Sequence, residues 1–466
     1  MGHLIPMLEL GECLVSRHGF NVTIFFATVT SSTTHSQIIQ QTINPKSNAL
    51  NVVVLPPIDV SSKLGALNSE LLAHIMFIME ESLPFLRSSI LSMKVRPTAL
   101  IVDTFGTNAL AMARDFNMLR YVFFTCSAWT LALCVYLPTI DNELLSRHVK
   151  HHEPLPIPGC KPVRFEDTMG SLILVKDDEP MMVHQMLVKM AMNIGDADGI
   201  LVNTWQDLEP MALESLLRVG IIRGRIYPVG PLVRGFNNPS RTKKEHQVLS
   251  WLDQQPAGSV IFASFGSGGT MSEAQMEEIA FGLELSEQRF IWVVRSPCKE
   301  ENDTVTHGSY FDVENEKNMD GSLEKFMSRT YKLGHVVPMW APQAEILEHS
   351  SVGAFMTHCG WNSTLEAITN GVLMIAWPLY AEQKMNAATL TEELGVAIRV
   401  KGENKGDVVG RKEIQRLIRR VMVEEEGSCM KDKVKELERS AKMALSEAGS
   451  SFDSLHQLAC HCKAHM

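Results

Sequence analysis

The chain lacks the features of secreted and membrane-spanning proteins. Its nine cysteines are scattered over 466 residues without a CxxC pair, which argues against a disulfide framework and favours a reducing compartment. No apolar run approaches the ~18 residues of a membrane span. The start, Met1–Pro6, has no basic region followed by an apolar one and so does not indicate a signal peptide. These absences favour a cytoplasmic protein with no integral membrane segment.

Positive charge is also scarce. The net charge is −10 and there is no dense Lys/Arg block, which argues against nucleic-acid binding. The short basic group Arg241–Lys244 is expected to be a solvated loop. Asp and Glu are dispersed, and for the weak metal motif Cys460-His461-Cys462 an exposed tail is the preferred interpretation. We therefore expect no bound metal and no cofactor.

Hydrophobic patterning predicts an α/β fold. Apolar, β-branched runs alternate with helical patterns such as Leu71–Ser92 and Glu273–Leu285, as in βαβ units with parallel sheets. The predicted strands are Val22–Ala27, Val52–Leu55, Ala99–Val102, Tyr121–Phe124, Gly199–Asn203, Val260–Ser264, Phe290–Val294, His335–Pro338, Gly353–Thr357 and Val372–Ala376. Two doubly wound domains are expected, with ligands at the carboxyl ends of the strands.

Composition also predicts the domain boundaries. Residues 231–248 hold Gly, Asn, Pro and several charges, which is typical of a linker between domains at 1–230 and 249–440. The polar stretch Cys298–Asp320 is predicted to be a surface insertion. Residues 441–466 are predicted to form a helix that crosses back to the first domain.

His3 lies almost at the start of the chain. A doubly wound domain normally opens with a strand of ~5 residues, and Met1 leaves no room for one. Loss of a buried strand could exceed a typical total stability of ~5–15 kcal/mol. Three explanations are open: a start assigned to an internal Met, which we favour, a natural truncation, or compensation by another segment.

The block from Trp340 to Gln383 places polar and aromatic residues at strand ends. Pro342 keeps the segment after one strand extended, where the Trp340 indole could stack on a nucleotide base or simply fill the core. Ser363–Glu366 is a capping-box pattern, which predicts a helix beginning at Ser363. A helix start suits a diphosphate, although these residues could also only cap the helix.

Two further turns could bind the rest of a nucleotide sugar. Glu382 and Gln383 could contact sugar hydroxyls or form an ordinary first helical turn. The turn Ser264–Gly269 is glycine-rich, but Met271 stands where a dinucleotide fingerprint needs its third glycine. That departure counts against an NAD-dependent oxidoreductase, which is one rival interpretation.

The same block resembles the signature box of the plant family 1 UDP-glycosyltransferases, over its full length. The resemblance implies a GT-B fold, with two Rossmann-like domains facing across a cleft, an acceptor-binding domain at 1–230 and a UDP-sugar-binding domain at 249–440. It implies uracil stacking on Trp340, base or ribose contact by Gln343, and ribose binding by Glu366. It further implies that the phosphates are bound by His358, Asn362, Ser363 and Ser267. The full set of residues that the resemblance implies for binding the UDP-sugar donor is Ser267, Trp340, Ala341, Gln343, His358, Gly360, Trp361, Asn362, Ser363, Glu366, Tyr380, Glu382 and Gln383.

The resemblance also implies a catalytic pair. Gly2–Pro6 matches the family loop whose histidine is the base, here His3, and Asp103 matches the acid that orients it. A carboxylate beside a histidine fixes the tautomer and steadies the imidazolium. Taken alone, His3 could be a disordered terminal residue and Asp103 could cap the helix that follows.

The resemblance extends to segments such as Gly199–Thr204, Tyr227–Pro231 and Trp251–Asp253, which look like the hydroquinone and monolignol glucosyltransferase branch. It implies a monomeric, metal-independent, inverting transfer of glucose from UDP-glucose to a phenolic hydroxyl in plant specialised metabolism. Gln383 favours glucose over galactose. The acceptor pocket could be lined by Leu71–Met79, Ser127–Tyr136, Pro154–Cys160 and several methionines, or these segments could be plain core. The second rival is an inactive ligand-binding protein, favoured only by the missing first strand.

Overall fold

The computed structural model describes residues 2–29, 49–59, 71–169, 175–176, 179–180, 182–218, 220–234, 247–266, 268–269, 271–295, 321–401 and 408–466. These residues form two compact units, Met1–Val233 with Ala441–Met466, and Arg234–Ser440. Within the described ranges, no helix is both long and apolar enough to cross a lipid bilayer.

The first unit alternates strands and helices. Its strands are β1 (Val22–Phe26), β2 (Leu50–Val54), β3 (Ala99–Asp103), β4 (Leu119–Phe124), β5 (Val175–Lys176), β6 (Glu179–Pro180), β7 (Gly199–Val202) and β8 (Arg225–Pro228). Its helices are α1 (Leu4–His18), α2 (Leu71–Glu81), α3 (Leu83–Ser92), α4 (Leu110–Asp115), α5 (Ala128–Tyr136), α6 (Asn142–His151), α7 (Met182–Gly195) and α8 (Pro210–Arg218). Short 3₁₀ helices lie at Thr104–Ala109, Leu137–Thr139 and Phe165–Asp167.

The second unit follows the same alternation. Its strands are β9 (Val260–Ser264), β10 (Arg289–Val294), β11 (Gly334–Pro338), β12 (Val352–Thr357), β13 (Leu373–Ala376) and β14 (Ala397–Arg399). Its helices are α9 (Gln247–Leu252), α10 (Glu273–Ser286), α11 (Gly321–Thr330), α12 (Gln343–Glu348), α13 (Trp361–Thr369), α14 (Gln383–Ala388) and α15 (Arg411–Met422), with a π-helical turn at Thr389–Glu393. α16 (Glu425–Leu445) ends in the first unit, and α17 (Ser450–Ala464) lies within it.

Parallel strands form the main sheet of the first unit, in the order β3-β4-β7-β8. In the register of β3 and β4, Asp103 lies opposite Phe123, so the two strands end at the same edge. The core beneath this sheet gathers Tyr121, Phe123 and Leu201 with Leu455 of α17. The C-terminal helix is therefore part of this core.

The first element in the described residues is the helix α1. β1 pairs with β2 in a separate two-stranded sheet, and β3 is an edge strand of the four-stranded one. α1 nevertheless buries Leu10, Cys13 and Leu14 in the core that contains Tyr121. The helix is thus anchored by the packing of these residues, and the contact of His3 described below holds the chain just ahead of it.

The second unit holds one six-stranded parallel sheet in the order β11-β10-β9-β12-β13-β14. Counted from β9 as the first strand, this is the 3-2-1-4-5-6 order of the doubly wound dinucleotide fold. Every residue of β9 is buried, as expected for a strand covered by helices on both faces. The strand order reverses between β9 and β12, so a ligand is expected beyond the carboxyl ends of these two strands.

Several local predictions were wrong. The helix predicted over Leu71–Ser92 is two helices, α2 and α3, because the chain breaks at Ser82 ahead of Pro84. The short strands β8 and β14 were not predicted. Cys460 and His461 are exposed, as expected for the tail, but α17 packs on β8 and buries the Cys462 thiol in the core. The predicted insertion Cys298–Asp320 and the basic group Arg241–Lys244 lie outside the described residues.

Candidate functional site

His3 and Asp103 are in contact at the carboxyl edge of the first unit's sheet. His3 Nδ1 lies 2.6 Å from Asp103 Oδ2, although 100 residues separate the two in sequence. The other carboxylate oxygen, Oδ1, accepts the N–H of Phe105 at 3.0 Å and caps the 3₁₀ helix that follows β3. The two oxygens of Asp103 thus have different partners: one caps the helix, as predicted, and the other contacts His3, whose orientation by Asp103 stays a prediction.

The electrostatics of the pair favour an ionised acid. Burial of Asp103 acts to raise its pKa, but the charge of His3 and hydrogen bonds from His3, Phe105 and Thr104 outweigh it, and the pKa lies below its ordinary value. The His3 side chain is 40% exposed and its ring rests 5.0 Å from the ring of Phe105. A histidine bonded through Nδ1 to a carboxylate holds its proton there, so Nε2 is the nitrogen that can take up another.

Thr125 is a third member of this cluster that the sequence did not reveal. It follows β4 directly, is 2% exposed, and places Oγ1 3.1 Å from His3 Nδ1. A threonine after a strand is too common to stand out. The parallel register of β3 and β4 is the signal that could have found it.

In the second unit, Trp340 follows β11 and Met339, whose φ of 62° is left-handed. Its side chain is 63% exposed, so Trp340 is not a core tryptophan. Ala341 beside it is buried, and α12 then begins at Gln343. A large exposed ring on a loop held by a buried neighbour is suited to stacking on a flat ligand.

Gln343 connects α12 to α13. Its Nε2 donates to Ser363 Oγ at 2.9 Å and to Glu366 Oε2 at 2.7 Å. Burial raises the pKa of the Glu366 carboxyl to about 7, despite the opposing hydrogen bond from Gln343. The result is a buried acceptor group whose charge is only half developed at neutral pH.

The predicted helix start at Ser363 was wrong. α13 begins at Trp361 with Gly360 as its N-cap, and Gly360 has no side chain with which to cap it. Ser363 lies in the first turn, where its hydroxyl accepts from Gln343 instead. The capping-box pattern misled because its serine and glutamate, Glu366, are both committed to that glutamine.

His358 lies at the point where the strand order reverses. It follows β12 and packs against Gly266, after β9, and Gly360: a Cβ on either glycine would lie 2.5 Å from His358 Nε2. Burial lowers the pKa of His358 to about 4, so its ring is neutral at pH 7. Its buried Nδ1 has no hydrogen-bond partner among the described residues. A buried polar atom of this kind fits a site that a polar ligand completes.

Gln383 organises the turn after β13. Its Oε1 accepts the backbone N–H groups of Leu379 at 2.9 Å and Tyr380 at 3.0 Å, and the side chain is 3% exposed. Only its NH₂ group can then donate to a ligand. Ala381 has a left-handed φ of 53°, and Glu382 beside it is half-buried.

A buried asparagine ties two of these turns together. Asn386 Nδ2 donates to the carbonyl of Cys359, a residue with a left-handed φ of 64°. The turns after β12 and β13 are thereby held side by side, and strained backbone of this kind is concentrated at ligand sites. Most of the predicted donor residues lie at the carboxyl edge of this sheet: Trp340, Ala341, Gln343, His358, Gly360, Trp361, Asn362, Ser363, Glu366, Tyr380, Glu382 and Gln383. Ser267 lies outside the described residues.

Comparisons with known proteins agree with this geometry. The family model "UDP-glucoronosyl and UDP-glucosyl transferase" matches residues 227–410. UDP-glycosyltransferase 72E2 of Arabidopsis thaliana is 43% identical over 99% of the chain and 94% of its own length. Hydroquinone glucosyltransferase of Rauvolfia serpentina is 41% identical over 99% of the chain and 95% of its own. The chain belongs to the plant family 1 UDP-glycosyltransferases.

Solved structures extend the likeness to the whole fold. TcCGT1 in complex with UDP superposes with a TM-score of 0.88 at 39% identity, over 100% of this chain and 98% of that one. Phytolacca americana UGT2 with UDP-2fluoro-glucose and pterostilbene gives 0.83 at 35% identity, over 99% and 97%. The predicted GT-B fold is confirmed, and a UDP-sugar is the co-substrate of this family. Across the described residues, no group of three or more His, Cys, Asp or Glu side chains is arranged to hold a metal ion.

Of the expected acceptor-wall segments, only Ser127–Tyr136 is mostly core, whereas most of residues 72–79 are half-buried and most of the loop at 154–160 is exposed. All residues of α5 except Tyr136 are buried, and Leu155 and Ile157 of the loop at 154–160 are buried as well. The rival oxidoreductase interpretation is excluded by family membership. The inactive-protein interpretation is not favoured, because His3 is bonded to Asp103 without a strand preceding α1 in the described residues.

Proposed function

We propose that this protein is an inverting glucosyltransferase that moves glucose from UDP-glucose to a phenolic hydroxyl. The observation that carries the proposal is the 2.6 Å contact between His3 and Asp103, in a family whose members use a UDP-sugar. A base of this kind is what the attack of a hydroxyl on a sugar requires.

His3 acts as the general base. Nε2 takes the acceptor's hydroxyl proton as the oxygen forms its bond to C1 of glucose, while the bond from C1 to the UDP oxygen breaks. Asp103 stabilises the imidazolium that forms, and UDP leaves with the electron pair of the broken bond. A single displacement inverts the α-linked donor to a β-glucoside.

The second unit binds the donor. Trp340 stacks on uracil, Gln343 contacts the base or ribose, and the Glu366 carboxylate accepts the two ribose hydroxyls. The amino end of α13, with His358, Asn362 and Ser363, holds the diphosphate, because helix N-termini attract phosphate. This arrangement also stabilises the charge that develops on the leaving UDP. Ser267 is proposed as a further phosphate contact.

Gln383 and Glu382 contact the sugar. The support is the orientation of Gln383, whose oxygen is used by two backbone N–H groups, so that a donor group is presented. A fixed NH₂ donor discriminates between sugars that place a hydroxyl oxygen differently. We propose UDP-glucose as the preferred donor on this basis, together with the resemblance at Gln383.

The proposed acceptor class follows from relatives. One is a hydroquinone glucosyltransferase, another an anthocyanidin 3-O-glucosyltransferase, and one solved neighbour holds pterostilbene. All three names refer to phenolic molecules, which favours a phenolic hydroxyl here. We further propose that the protein acts as a cytoplasmic monomer, with a small-molecule acceptor, UDP-sugar and no nucleic acid as partners. Light scattering of the purified chain checks the monomer.

The test is UDP release from UDP-glucose with a panel of small phenols. We expect turnover by the wild type, and a loss of about 10²–10⁴-fold in His3→Ala, the range for a general base. UDP-glucose binding by calorimetry serves as the control and should survive that substitution. NMR of the product should show a β-anomeric linkage. Tight UDP-glucose binding without turnover on any acceptor would refute the proposal in favour of a binding protein.

A further inference from the structure

Thr125 contacts the proposed base from a second strand. Its Oγ1 lies 3.1 Å from His3 Nδ1, the nitrogen that also lies 2.6 Å from Asp103. The ring is therefore contacted from three elements: the end of β3, the end of β4, and the 3₁₀ helix that carries Phe105. Of the three residues that contact the ring, Asp103 is the one that carries a charge.

The turn that carries Thr125 is held firmly. Ser127, two residues on, caps α5, and the buried carboxylate of Glu209 accepts the N–H groups of Ala128 at 2.8 Å and Trp129 at 3.1 Å. β4 fixes the chain on the other side through its pairing with β3 and β7. A side chain on such a support keeps its position when substrate arrives.

We propose that Thr125 is a positioning residue for His3, whose hydroxyl oxygen is a second acceptor for the proton on Nδ1. A proton shared between Asp103 and Thr125 is kept on Nδ1, and the ring plane is fixed by two acceptors on different strands. Nε2 is then aimed at the acceptor hydroxyl whose proton it takes. This inference rests on the proposed function for its kinetic consequence, but the contact itself can be tested without turnover.

The competing interpretation is that Thr125 is an ordinary buried hydroxyl, or touches only the donor sugar. A structural role would lower stability without changing how His3 titrates. A sugar contact would raise the KM for UDP-glucose with the pH dependence of kcat unchanged. Removing an acceptor of the Nδ1 proton has a different effect: it destabilises the imidazolium and moves the titration of His3 to lower pH.

The experiment compares Thr125→Val, Thr125→Ser and Thr330→Val. Thr330 on α11 is a matched control, since it is also 2% exposed and its buried hydroxyl donates to the carbonyl of Phe326 at 2.9 Å. The titration of His3 is followed by NMR in protein labelled with ¹⁵N-histidine, with the His3→Gln variant identifying the signal. Turnover is measured over pH in parallel.

We expect Thr125→Val to lower the titration midpoint of His3 by about 0.4–1 pH unit, as the loss of one hydrogen bond predicts. The acidic limb of kcat should move the same way, and kcat at its plateau should fall about 3- to 10-fold. Thr125→Ser should restore both, and Thr330→Val should change neither. If the valine variant does not fold, Thr125→Ala carries the same test.

An unchanged His3 titration in Thr125→Val would overturn the inference, whether or not turnover is detected. A raised KM for UDP-glucose with no shift of either pH profile would also overturn it. A shifted titration with no turnover in any variant, the wild type included, would support the contact and refute the proposed function instead.

Discussion

The buried carboxyl of Glu366 is predicted to make donor binding pH-dependent. It is 7% exposed, and burial raises its pKa from 4.5 to about 7. Only the ionised carboxylate offers both of its oxygens as acceptors to the two ribose hydroxyls, because in the protonated form one oxygen carries the proton. About 90% of the sites are then ionised at pH 8 and about 10% at pH 6, so UDP-glucose should bind about tenfold more weakly at pH 6.

Substitution of Glu366 by Gln should affect binding and stability in opposite directions. Two hydrogen bonds to a charged group, at about 1.5 kcal/mol each, correspond to about 10²-fold in Kd. The folded protein without ligand should become more stable. Because the pKa is raised on folding, the folded state binds more protons between pH 4.5 and about 7, and stability falls as pH rises through this window.

The size of that stability effect follows from the shift. From 4.5 to about 7, the shift corresponds to a cost on the order of 3 kcal/mol, fully present above pH ~7 and absent below pH ~4. Glu366→Gln removes this cost at pH 8. We therefore expect a more stable protein that binds its donor poorly, which is the sign of a group placed for a ligand rather than for the fold.

Two measurements check this reasoning. Calorimetry with UDP-glucose between pH 5.5 and 8 reports binding, and this ligand is preferable to UDP because it has no terminal phosphate with an ionisation near pH ~6. His358, with its pKa lowered to about 4, does not titrate in this range. Urea unfolding at pH 8 reports stability, with exposed Glu348→Gln on α12 as the matched control. A Glu366→Gln protein no more stable than the control, or pH-independent binding by the wild type, would refute the argument.

Three further outcomes are expected. Trp340→Ala should raise the KM for UDP-glucose about 10-fold, the value of one base stacked on an aromatic ring, while urea unfolding stays unchanged because the indole is 63% exposed. Gln383→Glu should keep an acceptor for Leu379 and Tyr380 and hence the fold, but lose the donor, so that kcat/KM for UDP-glucose falls while circular dichroism is unaltered. Asp103→Asn should lower kcat about 10²–10⁴-fold with little change in donor Kd, because the tautomer of His3 is no longer enforced. UDP release measures kcat and calorimetry measures the Kd. A loss confined to KM would contradict the assignment of Asp103 as the acid that orients His3.

The strands and the site's loops could be predicted because they rest on local signals. Apolar runs such as Val260–Ser264 mark strands buried on both faces, and polar residues directly after them mark the carboxyl edge of the sheet. The helix start at Ser363 was misplaced for a physical reason. A capping box is a local pattern, whereas Ser363 and Glu366 bond to Gln343, 20 and 23 residues away. The local pattern could not reveal that their side chains were already committed.

The contacts proposed to orient the catalytic base are of this second, non-local kind. Thr125 reaches His3 across 122 residues, and Glu209 holds the turn after β4 across about 80. Neither residue belongs to a motif, because their positions are determined by which strands are neighbours in the sheet. A family signature therefore locates the groups that are proposed to touch substrate. The residues that orient those groups become visible only when parallel strands place their carboxyl ends together, and variants at such positions are the sharper test of how the site works.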